Sequence, residues 1–228
     1  MKTIVVHSGG MDSSICLSLA VKEFGADNVL SLGFSYGQRH LNELDNAKNI
    51  ADHFGVKRII IDLNCMSEIT DNALTNKDLK ISHSQGESPN TLVTGRNGLM
   101  ARVAAIHAEH LGANSIYMGI IEVEEANSGY RDCSRKYMDL IEAALRLDFD
   151  NESFQVRTPL VFLTKKETLE LIDNKNDLLY LVENTITCYE GIPKEGCKVC
   201  PACKLRNSGL KDYVKAHSEF KFSYLNKI

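Results

Sequence analysis

Short apolar runs alternate with amphipathic stretches along most of this chain. Residues 2–7, with Ile4, Val5 and Val6, read as a strand. Residues 12–24 follow as a helix, with Ile15, Leu19 and Val21 among its apolar positions and Gly25 as its stop. A second strand is expected at 29–34, an amphipathic helix at 41–54 closed by Gly55, and a third strand at 58–63. Residues 64–95 break the alternation and read as a long excursion, of a length that is uncommon unless it serves a function or moves. An Ala- and Leu-rich helix is expected at 97–111, a strand at 115–121, a polar loop at 122–133, a helix at 134–147 and a short strand at 154–157. Thr164-Lys165-Lys166-Glu167 has the form of a capping box, in which hydroxyl and carboxylate satisfy free backbone N–H groups at a helix start. A Cys-rich segment, a basic helix from about Lys204 and a polar tail complete the chain. Strands alternating with helices make βαβ units, so the fold class is α/β with a parallel sheet.

Composition narrows this only a little. The 228 residues are 43% hydrophobic and 25% charged, ordinary for a soluble globular protein and contrary to wholesale disorder. The 26 Lys+Arg against 30 Asp+Glu give a net charge of −4, which lends no support to a dedicated duplex nucleic-acid binder. No apolar run approaches the roughly 18 residues of a membrane span. The N-terminal apolar stretch breaks at His7-Ser8-Gly9-Gly10, too early for a signal peptide. A cytoplasmic, reducing setting is therefore expected. There the seven cysteines, an odd number, favour metal binding or catalysis over disulfides.

The first chemical signal is Ser8-Gly9-Gly10-Met11-Asp12-Ser13-Ser14, between the first strand and the first helix. A glycine pair there permits unusual backbone angles and close approach of a ligand, while the free N–H groups of a helix start favour an anion. Ser8 and Ser13 add hydroxyl donors, and Asp12 can cap the helix or hold magnesium. The natural ligand is a phosphate, although glycines that merely fit a tight turn would produce the same pair. The Lys of the common Gly-Lys-Ser/Thr nucleotide loop is absent.

The second signal is Cys188, Cys197, Cys200 and Cys203, with eight, two and two residues between them. Thiolates two residues apart can close on one tetrahedral ion, and four leave no open position, so the site reads as structural. One zinc ion suits the uneven first spacing, and an iron–sulphur cluster is the competing reading. Cys16 and Cys65 read as packing residues, and Cys133 ends the polar loop. His7 is a candidate beside the phosphate loop, whereas His53, His107 and His110 fall in helical segments and read as structural.

The N-terminal hexad resembles the pyrophosphate-binding loop of the ATP pyrophosphatase (PP-loop) family. Further segments match one branch of it: Tyr36-Gly37-Gln38-Arg39-His40, Thr94-Gly95-Arg96-Asn97, Ser128-Gly129-Tyr130-Arg131-Asp132-Cys133, Thr158-Pro159-Leu160 with Lys165, Thr187-Cys188-Tyr189, and Cys200-Pro201-Ala202-Cys203-Lys204-Leu205-Arg206. Together they resemble the 7-cyano-7-deazaguanine synthases of queuosine biosynthesis, from residue 1 to about 210. Arg131 stands where that family commonly has Pro, and Lys198 where it commonly has Gly.

The resemblance implies a Rossmann-like (adenine nucleotide α hydrolase-like) domain over 1–180 and a zinc-binding subdomain over 181–228. It implies an ATP-dependent carbon–nitrogen ligase that activates 7-carboxy-7-deazaguanine, admits ammonia, and activates and dehydrates the resulting amide to a nitrile. ATP with magnesium would be held by Ser8, Gly9, Gly10, Met11, Asp12, Ser13 and Ser14. Arg96, Lys165 and Arg39 would neutralise phosphate charge, and Asn97, Ser128, Gly129, Tyr130 and Asp132 are substrate candidates. Cys188, Cys197, Cys200 and Cys203 would hold zinc. The implied partners are small molecules, with no membrane, no direct nucleic-acid contact and a possible homodimer. Two other readings compete. A PP-loop relative that adenylates a tRNA base for sulphur transfer would need a reactive Cys and a basic surface. A non-enzymatic zinc module that binds nucleic acid or protein has only the basic stretch 204–211 in its favour.

Overall fold

The structure, a computed structural model, describes residues 1–37, 42–69, 72–73, 79, 90–123 and 129–225. Its centre is a five-stranded sheet of β1 (Thr3–Val6), β2 (Val29–Ser35), β3 (Lys57–Asp62), β4 (Ser115–Met118) and β5 (Gln155–Arg157), in the order β3-β2-β1-β4-β5. All four pairings are parallel; Ile4 aligns with Leu30 on one side and Ile116 on the other. This is the α/β class that the alternating pattern predicts.

The helices cover both faces, as a parallel sheet requires. They are α1 (Met11–Phe24), α2 (Asn42–His53), α3 (Cys65–Ile69), α4 (Arg96–His110), α5 (Arg135–Phe149), α6 (Lys165–Glu170), α7 (Lys175–Asn184) and α8 (Pro201–Ala216). Successive strand residues point to opposite faces. Val5, Val29 and Tyr117 therefore pack with α1, α7 and α8, through Ile15, Leu181 and Leu210 among others. Ile4, Leu30, Leu32 and Ile116 pack on the other face against Ala101, Ala104 and Ala105 of α4 and Met138 and Leu145 of α5.

Several boundaries differ from the sequence reading for identifiable reasons. The strand expected at 115–121 stops at Met118, because Gly119 runs directly against the start of α1: a Cβ there would lie 2.7 Å from the Ser13 nitrogen and 2.8 Å from the Asp12 carbonyl carbon. The helix α7 was not predicted. Its signals are Asn174, whose side chain accepts from the Asn176 and Asp177 N–H groups, and buried Leu178, Leu181 and Val182 at helical spacing. The helix α8 begins at Pro201 rather than near Lys204, because Cys200 serves as its N-cap. Within the excursion at 64–95, α3 is a short helix, and its Cys65 is exposed rather than a packing residue.

Candidate active site

The phosphate-type loop joins the central strand to the first helix. Gly10 is the N-cap of α1 and has ordinary extended angles. Gly9 has φ +90, and a Cβ there would come within 2.5 Å of the Glu43 carbonyl oxygen and 3.0 Å of the Ala47 nitrogen on α2. The hydroxyls close the loop on itself. Ser13 and Ser14 donate to the Gly10 carbonyl oxygen at 3.1 and 2.8 Å, and the Ser8 N–H donates to the Ser13 hydroxyl at 3.2 Å. Met11 points its side chain into the core, so only its backbone faces the loop. His7 does not enter the site. It is buried between the Ser31 and Ser14 hydroxyls at 2.9 and 3.0 Å, and burial, then the nearby Arg58 charge, lower its pKa to about 3, which keeps it neutral.

In a sheet of this order, strands are added on one side of β1 as far as β3 and on the other side from β4, and the switch between β1 and β4 opens a crevice at the strand ends where ligands bind in such folds. A cavity of about 170 Å³ occupies this place. At one end lie Asp12 and Lys165, whose ammonium donates to the Asp12 carboxylate. Asp12 is thus in the first turn of α1 and does not cap it. Lys165 is only 5% exposed. It follows Thr164, whose capping box forms as expected, and it is pressed by Gly209 of α8, where a Cβ would lie 3.1 Å from the Lys165 carbonyl carbon.

Arg96, Tyr130, Cys133 and Tyr189 line the other end. The Arg96 guanidinium lies 5.5 Å from the Tyr36 ring centre and donates to its hydroxyl at 3.3 Å. Burial opposes its charge, but Tyr36, Asp132, Cys133 and Tyr189 outweigh this and hold its pKa above the usual value. Asn97 does not cap α4, whose N-cap is Gly95. Its N–H donates to buried Asp132 at 3.3 Å and its amide to the Cys133 sulphur at 3.3 Å. Burial, then Asp132, push the Cys133 thiol up to about 12, so it is no nucleophile at neutral pH. Gly129, with φ +100, delivers Tyr130, whose hydroxyl meets those of Thr91 and, at 3.4 Å, Tyr189. Glu43 at the start of α2 is half-buried, and burial raises its pKa to about 7 against the opposing Arg96 charge. Arg39 and Ser128 lie outside the described residues.

The third wall comes from the Cys-rich segment: Thr187, Pro201, Ala202 and Leu205. Behind it the four Sγ atoms of Cys188, Cys197, Cys200 and Cys203 lie within 4.8 Å of one another. Thiolates about 2.3 Å from one ion would be roughly 3.8 Å apart, so the set can close on a metal. Backbone N–H groups already point at these sulphurs. Glu190 and Cys197 donate to Cys188 at 3.4 Å, Cys200 to Cys197 at 3.3 Å, and Cys203 to Cys200 at 3.4 Å. Gly196 has φ +64, and a side chain there would run into the Cys203 sulphur. Lys198 adopts φ 64, the left-handed region that glycine favours, which explains the glycine usual at that position in the resembled family.

Sequence reasoning missed four contributors. Gly119 was signalled by a lone glycine in an apolar run. Gly209 and Glu43 gave no signal of their own. Arg206 is 1% exposed, donates to the Asn207 side-chain oxygen, and forms no ion pair among the described residues.

A family model described as queuosine biosynthesis protein QueC matches residues 2–214. The 7-cyano-7-deazaguanine synthase of Lysinibacillus sphaericus (strain C3-41) is 41% identical over 220 residues, covering 96% of this chain and 98% of that protein. Among solved structures, the U34-tRNA thiolase NcsA from Methanococcus maripaludis with its 4Fe-4S cluster aligns with TM-score 0.48 at 12% identity, over 97% of this chain and 73% of that one. A family match over nearly the whole length, with a relative that similar from end to end, means that this chain belongs to the QueC family of queuosine biosynthesis proteins.

Proposed function

We propose that this enzyme of queuosine biosynthesis converts 7-carboxy-7-deazaguanine and ammonia to 7-cyano-7-deazaguanine at the expense of ATP. The observation that carries the reading is one crevice lined by Asp12 of the phosphate-type loop, its partner Lys165 and Arg96, with a tyrosine pair at the far end. A carboxylate is a poor electrophile, and joining it to the α-phosphate of ATP supplies a good leaving group. The loop from Ser8 to Ser14 would bind the pyrophosphate that departs, with Lys165 and Arg96 countering its charge. Ammonia then displaces the activating group, and the amide is activated once more before water is removed. The chain's work is positioning and charge stabilisation rather than covalent catalysis. Tyr130 and Tyr189 would flank the ring, with Gly129, Asn97 and Asp132 shaping that end.

Magnesium entering with ATP would meet Asp12. The cysteine quartet would hold one zinc ion, which locks the segment that forms the third wall. In this reading residues 1–180 are the nucleotide domain and 181–228 a metal-bound subdomain that completes the crevice. Among the described residues, no helix is long and apolar enough to cross a membrane.

The test is incubation with ATP, magnesium, ammonia and the acid, with mass spectrometry for nitrile and AMP. Nitrile formed with AMP supports the reading. Its absence from metal-loaded, folded protein that binds both substrates overturns it.

A further inference from the structure

The polar groups beneath the phosphate loop form a hydrogen-bond chain that runs in one direction. The Ser14 hydroxyl has a single proton. It donates that proton to the Gly10 carbonyl oxygen at 2.8 Å, closer than the Ser13 hydroxyl or the Ser14 N–H, both at 3.1 Å. Toward His7 Nε2, 3.0 Å away, Ser14 can therefore only accept, so Nε2 carries a proton. His7 is neutral, and its Nδ1 is then the bare nitrogen. The neighbours of Nδ1 suit an acceptor: the Ser31 hydroxyl lies 2.9 Å from it, and Arg58 Nη1, which can only donate, lies 3.4 Å from it. Arg58 Nη1 also donates to the Ser31 oxygen at 2.9 Å, which leaves the Ser31 proton for Nδ1. Donation thus passes from Arg58 to Ser31, to His7, to Ser14 and finally to Gly10.

Both ends of the chain bear on the loop. At the lower end, Nε and Nη2 of Arg58 are buried without a hydrogen-bond partner, and Arg58 forms no ion pair among the described residues. Burial lowers its pKa to about 10, which leaves it charged at neutral pH. Such a cation is unfavourable until an anion comes near. Its Nη1 holds the His7 carbonyl oxygen at 3.0 Å, where β1 passes into the loop. Gly33 on β2 makes room for it: a Cβ there would lie 2.3 Å from Nη2. At the upper end, the Gly10 carbonyl and the Met11 N–H belong to one planar peptide and point in opposite directions. Holding that oxygen down on Ser14 turns the Met11 N–H, the first of the helix, outward as a free donor for an anion.

We propose that Arg58 and His7 are positioning residues for the bound phosphate: Arg58 sets the direction of the chain, which fixes His7 as its Nε2–H tautomer and aims the Met11 N–H at the ligand, the loop being read, as above, as the ATP site. Neither side chain touches the substrate. Without Arg58 the opposite tautomer becomes available. Nδ1–H would then donate to Ser31, Nε2 would accept from Ser14, and the Gly10 carbonyl would lose its closest donor.

The test has two readouts on the folded chain at neutral pH. Nitrogen-15 NMR of the histidine rings gives the His7 tautomer, its signals being those lost in His7→Gln. Calorimetric titration with a non-hydrolysable ATP analogue and, separately, with 7-carboxy-7-deazaguanine gives the affinities. Wild-type His7 should be the Nε2–H tautomer, which is read without any variant. Arg58→Met should shift His7 toward Nδ1–H and bind the analogue roughly 3- to 10-fold more weakly, the effect of one lost hydrogen bond, with the acid bound within about twofold of wild type. Gly33→Ala, which displaces the guanidinium without touching the loop, should do the same. His7→Gln keeps a donor toward Ser14 and an acceptor toward Ser31, so it should bind the analogue more tightly than His7→Leu, which has neither; a packing role alone would rank Leu at least equal. The Nδ1–H tautomer in wild type, a tautomer or an analogue affinity unchanged in both Arg58→Met and Gly33→Ala, an equal loss for the acid, or His7→Leu binding as tightly as His7→Gln would overturn the inference. Wild type that fails to bind the analogue would remove the functional reading, and this inference with it. Wild type that binds the analogue with His7 as Nδ1–H would remove the inference alone.

Discussion

The two glycines of the loop face different constraints, and substituting each in turn separates them. At Gly9 an alanine must adopt φ +90, which costs an L-residue about 1–2 kcal/mol. Its Cβ would also lie 2.5 Å from a backbone oxygen on α2, and forcing that contact apart costs about 1–3 kcal/mol more. The sum is about 2–5 kcal/mol. At about 2–4 °C per kcal/mol for a chain of this size, Gly9→Ala should melt roughly 4–20 °C below wild type. Gly10 has φ −75, and its Cβ would meet nothing closer than 3.5 Å. Gly10→Ala should therefore melt within about 2–4 °C of wild type, while the methyl obstructs a phosphate approaching the helix start. Differential scanning fluorimetry measures the first effect and kcat/KM for ATP the second. Equal losses of melting temperature would refute the structural distinction. Wild-type kcat/KM in Gly10→Ala would refute the claim that a ligand must come close to that backbone.

Lys165→Met should lower turnover by roughly 10²–10³-fold, as loss of one preorganised charge at a reacting centre does, and steady-state kinetics on the folded variant checks it. Glu43→Gln should change the pH dependence of stability. With its folded pKa raised to about 7, Glu43 keeps a proton that the unfolded chain releases near 4.5, so its contribution is present below 4.5 and lost as pH rises through 7. The variant should therefore gain melting temperature relative to wild type between pH 4.5 and 7, and a constant difference would contradict this. His7 acts in the opposite sense, its contribution being lost as pH falls from 6.5 to about 3. Cys200→Ser should lower both bound metal, read by elemental analysis, and melting temperature; retained metal with unchanged melting would contradict a structural role. Arg206→Met should lose metal to a chelator faster than wild type. Four thiolates around a divalent ion carry a net charge of −2, and Arg206 is a buried cation beside them: a Cβ on Gly196 would stand 3.4 Å from its Nη2 and 3.3 Å from the Cys188 Cβ.

What could be read from the residues was the part encoded locally. The strand–Gly–Gly–helix start, the capping box at Thr164 and the Cys spacing each concern neighbours in sequence, and each appears where expected. The parts that escaped depend on long-range packing. Gly119 matters because α1 begins against it, and Gly209 because α8 presses on Lys165. His7 adjoins the phosphate loop in sequence, yet the alternation that continues past the end of β1 turns its side chain beneath the loop, toward Ser31. The helix α7 carries its own local signal, the Asn174 cap and the apolar spacing of Leu178, Leu181 and Val182.

The first strand of the chain is the middle strand of the sheet. Its backbone pairs on one side with β2, which is complete by residue 35, and on the other with β4, which begins at residue 115. Lys165, which faces Asp12, comes later still. During synthesis one edge of β1 therefore waits for about a hundred further residues, and the crevice acquires the second of its positive charges, Lys165, after that. Such distant pairings make folding slow relative to a helical bundle of the same length. Trimming the first six residues would withdraw the strand that both halves of the sheet share.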